Sequence, residues 1–243
     1  MPGYYYYSMD WTYLLVIIGA VLSMIASARV NSTFSKYARV RSVTGLTGAE
    51  AAQRILQYNG IYDVQIRQVS GSLTDHYDPR NKTLNLSDSV YGMCSVAAVG
   101  VAAHECGHAI QHKEGYFPLK LRSTLVPAAN LGSKLGLPIV ILGLILGIGF
   151  DLPGGGYFSL AQIGIWVFSL AVLFQIVTLP VEFNASGRAL RLLGSYGVMS
   201  SDEVDDCKRV LGAAALTYVA AAAASILQLL RLVILTRGRN RDD

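Results

Sequence analysis

The sequence predicts an α-helical multipass membrane protein with about four transmembrane helices and one small α+β lobe. Two observations favour this class. Of the 243 residues, 52% are hydrophobic and only 15% are charged, whereas soluble domains carry about 25% charged residues. The apolar residues also lie in long runs, and one polar segment, residues 29–124, separates the first run from the others. This composition excludes a disordered chain, and a net charge of +4 does not demand a nucleic-acid partner.

Four apolar runs approach the ~20 residues that a helix needs to cross a bilayer. They cover residues 11–28, 125–150, 157–180 and 210–235. The fourth run is rich in alanine and contains Arg231, so a buried soluble helix is the alternative there. The predicted domain boundaries follow from these runs. The first span lies in residues 1–28, and a cytoplasmic lobe follows over 29–124. The second and third spans lie in 125–180 and are followed by a loop over 181–209. The fourth span and a basic tail make up 210–243.

The distribution of positive charge predicts the orientation in the membrane. Residues 1–10 contain no Lys or Arg, which argues against a cleaved signal peptide, and basic residues begin after the first span, at Arg29. By the positive-inside rule, the first span is an anchor with its N-terminus outside. Alternation then places residues 29–124 and 181–209, which hold most of the Lys and Arg, on the cytoplasmic side of the cell membrane. The basic tail, residues 237–241, disagrees, so the alternative is that the last run does not cross.

The polar segment predicts a compact lobe that begins with a helix. Residues 47–50, Thr-Gly-Ala-Glu, form a capping box, and the apolar residues that follow have helical spacing. Gly60 is a helix stop, because glycine readily adopts the left-handed conformation found just after a helix. Residues 64–69 then alternate between apolar and polar, which predicts a strand.

The second half of the polar segment predicts a hairpin and a long helix. Residues 73–77 and 83–86 flank a connection rich in turn-forming residues, so they are expected to pair as a hairpin. Ser87 or Asp88 then caps a helix over about 89–112. The predicted lobe therefore contains a helix, three short strands and a long helix.

The long helix carries a His-Glu-Cys-Gly-His motif at residues 104–108. His104 and His108 are one turn apart, so both imidazoles lie on one face and can bind one metal ion. Zn²⁺ favours nitrogen ligands, and a catalytic zinc site takes three protein ligands and a water molecule. Glu105 lies beside that water as a general base for attack on a peptide carbonyl. The motif therefore predicts one zinc ion per chain, although a pentapeptide of this kind also arises by chance.

A third protein ligand is needed, and two carboxylates are candidates. Glu182 follows the third apolar run, on the same predicted side of the membrane as the histidines, and a carboxylate in that position is more often functional than structural. The structural interpretation of Glu182 is an ion pair with Arg188. Glu114, further along the long helix, is the alternative ligand.

Several other residues are auxiliary candidates. His112 either supports the metal site, donates to the oxyanion, or is an exposed residue at a helix end. His76, in the hairpin, is either structural or close to the substrate. Arg188 and Tyr218 are further candidates for stabilising the oxyanion. The strand at 83–86 is expected to hold an extended substrate by backbone pairing.

Four segments resemble a family of bacterial membrane zinc metallopeptidases, the YugP type. They are residues 73–79, 102–111, 182–186 and 215–220, and they follow in order over nearly the whole chain. The plan is similar to that of HtpX-type peptidases, which are membrane gluzincins with a downstream glutamate as third ligand. The resemblance implies a zincin-like metallopeptidase lobe in which His104, His108 and Glu182 bind zinc and Glu105 is the base.

The resulting hypothesis is a membrane-embedded zinc endopeptidase that cuts protein or peptide substrates at the cytoplasmic surface of the membrane. Ser186 departs from the HtpX-type pattern, which has Asp there, so support for a ligating imidazole is expected from Asn184 or a backbone carbonyl. One alternative is a zinc-binding membrane scaffold or regulator without catalysis. Another is an intramembrane site-2-type protease, although no Asp-Gly ligand motif lies in a later span. No nucleic-acid partner is expected.

Overall fold

The structure, a computed structural model, describes residues 10–152 and 156–239 and is mostly helical. Its elements in order are α1 (Tyr13–Tyr37), α2 (Gly48–Tyr58), β1 (Gln65–Val69), β2 (His76–Asp78), β3 (Thr83–Ser87), α3 (Val96–Lys113), α4 (Phe117–Leu146), β4 (Gly149–Leu152), β5 (Gly156–Ser159), α5 (Leu160–Ser195) and α6 (Ser201–Arg239). Helices α1, α4, α5 and α6 are long and apolar enough to cross a membrane. The predicted fold class, four spans with a small region of sheet, is therefore confirmed.

The spanning helices continue beyond the apolar runs that predict them. Helix α5 has 36 residues and passes through Glu182 to Ser195. The loop expected over residues 181–209 is therefore mostly helical, and only residues 196–200 separate α5 from α6. The helical hydrogen bonds continue beyond the apolar run until Gly197, whose φ of +62° takes the chain out of the helix.

One compact unit contains the first part of α1, most of α4, the first half of α5 and the second half of α6. Its described residues are 10–24, 125–152, 156–176 and 220–239. Helices α4 and α5 approach so closely that a Cβ added to Gly136 would lie 2.7 Å from the Cβ of Phe168. Strands β4 and β5 pair antiparallel between these helices. Arg231 is tolerated in the last apolar run because its guanidinium lies 4.1 Å from the centre of the Tyr13 ring and 3.8 Å from the carboxylate of Asp10.

The other compact unit contains the α+β lobe. It comprises residues 25–124 and 177–219. Helix α2 begins with the predicted capping box, in which the Glu50 carboxylate accepts from the Thr47 N–H and the Thr47 hydroxyl accepts from the Glu50 N–H. Strands β2 and β3 form the predicted antiparallel hairpin, and β1 pairs parallel with β3 on its other side. The expectation that residues 83–86 hold a substrate by backbone pairing is therefore wrong, because this strand is central and β2 is an edge strand.

Helix α3 begins later than predicted. Ser95, rather than Ser87 or Asp88, is its N-cap, and the Ser95 hydroxyl accepts from the Ala98 N–H at 3.2 Å. Ser87 ends β3 instead, because its N–H and its hydroxyl both donate to the Asp75 carboxylate. The resulting helix is buried along most of its length in the core that it shares with α2 and β3. This burial places the His-Glu-Cys-Gly-His motif inside the lobe.

Candidate metal centre

Two histidines of α3 and one glutamate of α5 meet at a common point. The Nε2 atoms of His104 and His108 lie 3.3 and 3.5 Å from Oε2 of Glu182. The ligand atoms that the three side chains offer all lie within 4.8 Å of one another. His108 and Glu182 are buried, and only 13% of the His104 side chain is exposed. Two imidazole nitrogens and a carboxylate oxygen are a donor set that Zn²⁺ accepts.

The second nitrogen of each imidazole has its own partner. Nδ1 of His104 lies 3.0 Å from the Ser186 hydroxyl, and Nδ1 of His108 lies 3.0 Å from Oε1 of Gln111. The Gln111 amide donates through Nε2 to the backbone carbonyl of Val181, which leaves its Oε1 to accept. His108 therefore donates through Nδ1 to Gln111, and its Nε2 faces the Glu182 carboxylate.

Ser186, and not Asn184, is the partner of His104. The sequence left this role to Asn184 or a backbone carbonyl, because serine replaces the aspartate of the HtpX-type pattern. A serine hydroxyl is sufficient here because Ser186 lies one turn after Glu182 on α5, on the face that meets α3. Asn184 acts on the other histidine indirectly, since its Oδ1 accepts from Gln111 at 2.9 Å.

The second oxygen of Glu182 is held by a residue that the sequence analysis does not identify. Nη1 of Arg122, at the start of α4, lies 2.7 Å from Oε1 of Glu182. The predicted ion pair between Glu182 and Arg188 is therefore wrong, because the arginine bound to Glu182 is Arg122. The charges of Glu182, Glu105 and Arg122 act on the nearby phenol of Tyr218. The only available signal for Arg122 is its position as the last cation before the second apolar run.

Glu105 lies beside this cluster on α3 and is only 7% exposed. Within the part of the chain that the structure describes, no hydrogen bond or ion pair engages its carboxylate. Burial alone would lower the pKa of His108, but its hydrogen bond to Glu182 and the charge of Glu105 raise the pKa above the ordinary value. The Glu105 carboxylate is thus close enough to His108 for its charge to act on that imidazole.

Cys106 and Gly107, which lie between Glu105 and His108 in the motif, have structural roles. The Cys106 thiol points away from the cluster and lies 3.6 Å from the backbone carbonyl of Ala52. Burial raises the pKa of this thiol well above its ordinary value. A Cβ on Gly107 would lie 2.6 Å from the carbonyl oxygen of Ala185, so glycine is required for α3 to approach α5 at this level.

His112 and His76 lie outside the cluster, and each has another partner. The Tyr77 hydroxyl lies 2.8 Å from Nδ1 of His112, which is exposed near the end of α3. Nδ1 of His76 lies 2.9 Å from the carbonyl of Thr74, and its Nε2 lies 3.1 Å from the Asn85 amide. Both contacts hold the His76 ring within the hairpin.

Glu114 and Arg188 form a separate ion pair. Nη1 of Arg188 lies 2.6 Å from Oε2 of Glu114, and its guanidinium lies over the Tyr116 ring. Nε of Arg188 donates to Asn184 at 2.7 Å. Among the described residues, the candidate metal cluster contains Glu182 and does not contain Glu114.

Comparison with known proteins assigns the chain to a family. A buried His-His-Glu cluster in a chain with four candidate spans defines the class as membrane proteins with a candidate metal site. The family described as "Putative neutral zinc metallopeptidase" matches residues 12–237, and the chain belongs to it. A relative from Bacillus subtilis (strain 168), described as "Putative membrane protease YugP", is 45% identical over 229 residues, which cover 94% of this chain and 98% of the relative. No solved structure matches the chain significantly. The family and this relative support a protease role and a location in the membrane.

Proposed function

We propose that the protein is a membrane-embedded zinc endopeptidase in which His104, His108 and Glu182 bind one Zn²⁺ and Glu105 is the general base. The observation that carries this proposal is the position of Oε2 of Glu182, which lies within 3.5 Å of Nε2 of both histidines. The donor set fits a catalytic zinc site, which takes three protein ligands and keeps one position for water or substrate. When bound, zinc polarises the scissile carbonyl and makes water more acidic.

The residues of the chain supply the rest of the chemistry. Glu105 accepts the proton of the attacking water and passes it to the leaving amine. Ser186 and Gln111 hold the two imidazoles so that Nδ1 donates and Nε2 is free to bind metal. Arg122 holds Oε1 of Glu182, which leaves Oε2 directed at the histidines.

Tyr218 is the preferred candidate for stabilising the oxyanion. Its phenol lies near enough to Glu182, Glu105 and Arg122 to be acted on by their charges. A phenol that donates a hydrogen bond at this position stabilises the negative charge that develops on the carbonyl oxygen. His112 and Arg188 are less suited, because they are engaged by Tyr77 and Glu114.

We propose that the substrate lies extended along β2, residues His76–Asp78. This strand is an edge of the sheet, so its outer side is available for backbone pairing. It also contacts α3, which carries two of the candidate metal ligands. A cavity of about 480 Å³ adjoins the end of the strand and is lined by Pro79, Gln111, His112 and Tyr116. Because Gln111 also contacts His108, this cavity is placed to accept a substrate side chain next to the scissile bond.

The active site is proposed to lie on the cytoplasmic side, at the membrane surface. The supporting observations are the basic residues that follow the first span and the position of Glu182, just after the uncharged run at 157–180. Helix α3 is not among the four candidate spans, which favours a surface site over an intramembrane protease.

Zinc content and cleavage by the purified protein test the proposal. Glu105→Gln is expected to keep one zinc per chain and to lower cleavage by about 10²–10⁴-fold. Glu182→Ala is expected to lose the zinc, whereas Glu114→Ala, the matched control, is expected to keep it. Full cleavage by the Glu105→Gln protein would refute the mechanism. Zinc bound without cleavage of any peptide would favour the scaffold alternative.

A further inference from the structure

A second cavity, of about 480 Å³, lies between α1 and α6 within the unit that holds the lobe. Its wall includes the basic residues Arg29, Lys36 and Arg209, the Tyr37 ring, and the small or apolar residues Gly212 and Leu216. None of the residues that line this cavity belongs to the candidate metal centre. The cavity therefore calls for an explanation independent of peptide cleavage.

The charge of this cavity is positive. Arg29 and Lys36 are exposed, and the Arg209 side chain is 66% exposed. Nη1 of Arg209 donates to the Tyr37 hydroxyl at 3.1 Å and to the Asp206 carboxylate at 2.8 Å. Both of these bonds use a single nitrogen, and within the described chain the other guanidinium donors of Arg209 have no hydrogen-bond partner. The three cations outnumber the two nearby carboxylates, Asp206 and Asp205, so the cavity favours an anion.

The position of the cavity along the chain places it at the membrane boundary. Arg29 is the first charge after the apolar run at 11–28, and Arg209 is the last charge before the apolar run of α6. Both helices therefore change from charged to apolar in the wall of one cavity. On the apolar side, Leu216 lines the cavity and is exposed. Ile25, one turn before Arg29 on α1, is also exposed. A ligand that fits has an anionic group for the cations and an apolar part for this surface.

We propose that this cavity binds the headgroup phosphate of an anionic phospholipid, with the acyl chains along the apolar faces of α1 and α6. Arginine and lysine at a bilayer surface attract anionic lipids, and guanidinium groups bind phosphate oxygens through paired N–H donors. The net negative charge of the headgroup distinguishes the ligand from a zwitterionic lipid. The proposal goes beyond peptidase activity and does not depend on it.

Native mass spectrometry of the purified full-length protein tests the proposal with phosphatidylglycerol, phosphatidylcholine and inorganic phosphate as probes. One phosphatidylglycerol is expected to bind in preference to phosphatidylcholine. Arg29→Gln with Lys36→Gln is expected to weaken this binding by about 25-fold, since each cation contributes about fivefold. Arg54→Gln with Arg67→Gln removes the same charge from exposed positions elsewhere on the lobe and is the matched control. Gly212→Leu fills the cavity without a change in charge, because nothing lies within 4 Å of a Cβ there.

The outcomes separate a built site from general attraction to charge. Loss of phosphatidylglycerol binding in both the charge variant and Gly212→Leu, with the control unchanged, supports the proposal. Unchanged binding in Gly212→Leu would overturn it, because diffuse surface charge would then account for the preference. Equal binding of phosphatidylcholine would exclude an anion site. Full displacement of the lipid by inorganic phosphate would assign the cavity to free phosphate instead of a lipid.

Discussion

The Ser186 hydroxyl lies 3.0 Å from Nδ1 of His104, although the two residues are 82 positions apart in the chain. Ser186 follows Glu182 by one turn of α5. One helical face therefore supplies both a candidate metal ligand and the group that orients another ligand. The hydrogen bond that orients His104 therefore comes from the helix that also contributes Glu182 to the cluster.

Removal of the Ser186 hydroxyl is expected to weaken zinc binding. In Ser186→Ala the Nδ1 proton of His104 has no acceptor, so the ring is less well oriented, and zinc affinity is expected to fall about 10–100-fold. Ser186→Asp, which restores an acceptor, is the control and is expected to keep the affinity. Competition with a chromophoric chelator measures both variants. Equal affinity of Ser186→Ala and the wild type would show that this contact does not support the site.

Loss of Arg122 is expected to destabilise the metal-free protein. Arg122→Ala leaves the buried Glu182 carboxylate without its partner, at a cost of about 1–3 kcal/mol. Added zinc is expected to restore part of the thermal midpoint, because a cation again faces the carboxylate. Arg191→Ala removes an exposed arginine from α5 and is expected to leave the midpoint unchanged. If both variants melted alike, the Arg122–Glu182 pair would contribute nothing measurable.

A methyl group at Gly107 is expected to disturb the packing of α3 on α5. In Gly107→Ala the new Cβ meets a backbone carbonyl at 2.6 Å, which cannot move without a shift of α5. The expected cost is about 1–3 kcal/mol, together with weaker zinc binding. Gly212→Ala, also within a helix but facing open space, is expected to be neutral or to stabilise by up to about 1 kcal/mol. Thermal midpoints in detergent compare the two, and an unperturbed Gly107→Ala protein would contradict the close approach.

The protein is expected to lose stability as the Asp75 carboxyl ionises, which is the opposite of the usual behaviour of a carboxylate. Burial raises the pKa of Asp75 above its ordinary 3.8, despite the hydrogen bonds from Ser87. The folded protein therefore binds this proton more tightly than the unfolded chain, so the contribution of Asp75 to stability falls as pH rises through 3.8 and the raised folded value. Asp75→Asn cannot titrate and keeps an acceptor. The thermal midpoint of the wild type relative to Asp75→Asn should decrease from acid to neutral pH, and an increase would show that the folded pKa is lowered.

Much of the candidate site is visible in the sequence because it depends on local spacing. His104 and His108 are separated by one helical turn, and Glu182 is the first carboxylate after a long uncharged run. Arg122 is not visible, because its contact with Glu182 joins residues 60 positions apart and follows no local pattern. The start of α3 is also missed, because Ser87 has the chemistry of a helix cap but is bound to Asp75.

Helix α5 is continuous from the third apolar run to the candidate metal centre. Residues 160–180 of this helix belong to an apolar run, and Glu182 and Ser186 follow in the same helix. A spanning helix changes its tilt when the hydrocarbon layer becomes thinner or thicker than its apolar length. In the proposed peptidase the candidate ligand Glu182 lies on this helix, so cleavage is expected to be fastest in lipids whose acyl chain length matches the apolar length of α5.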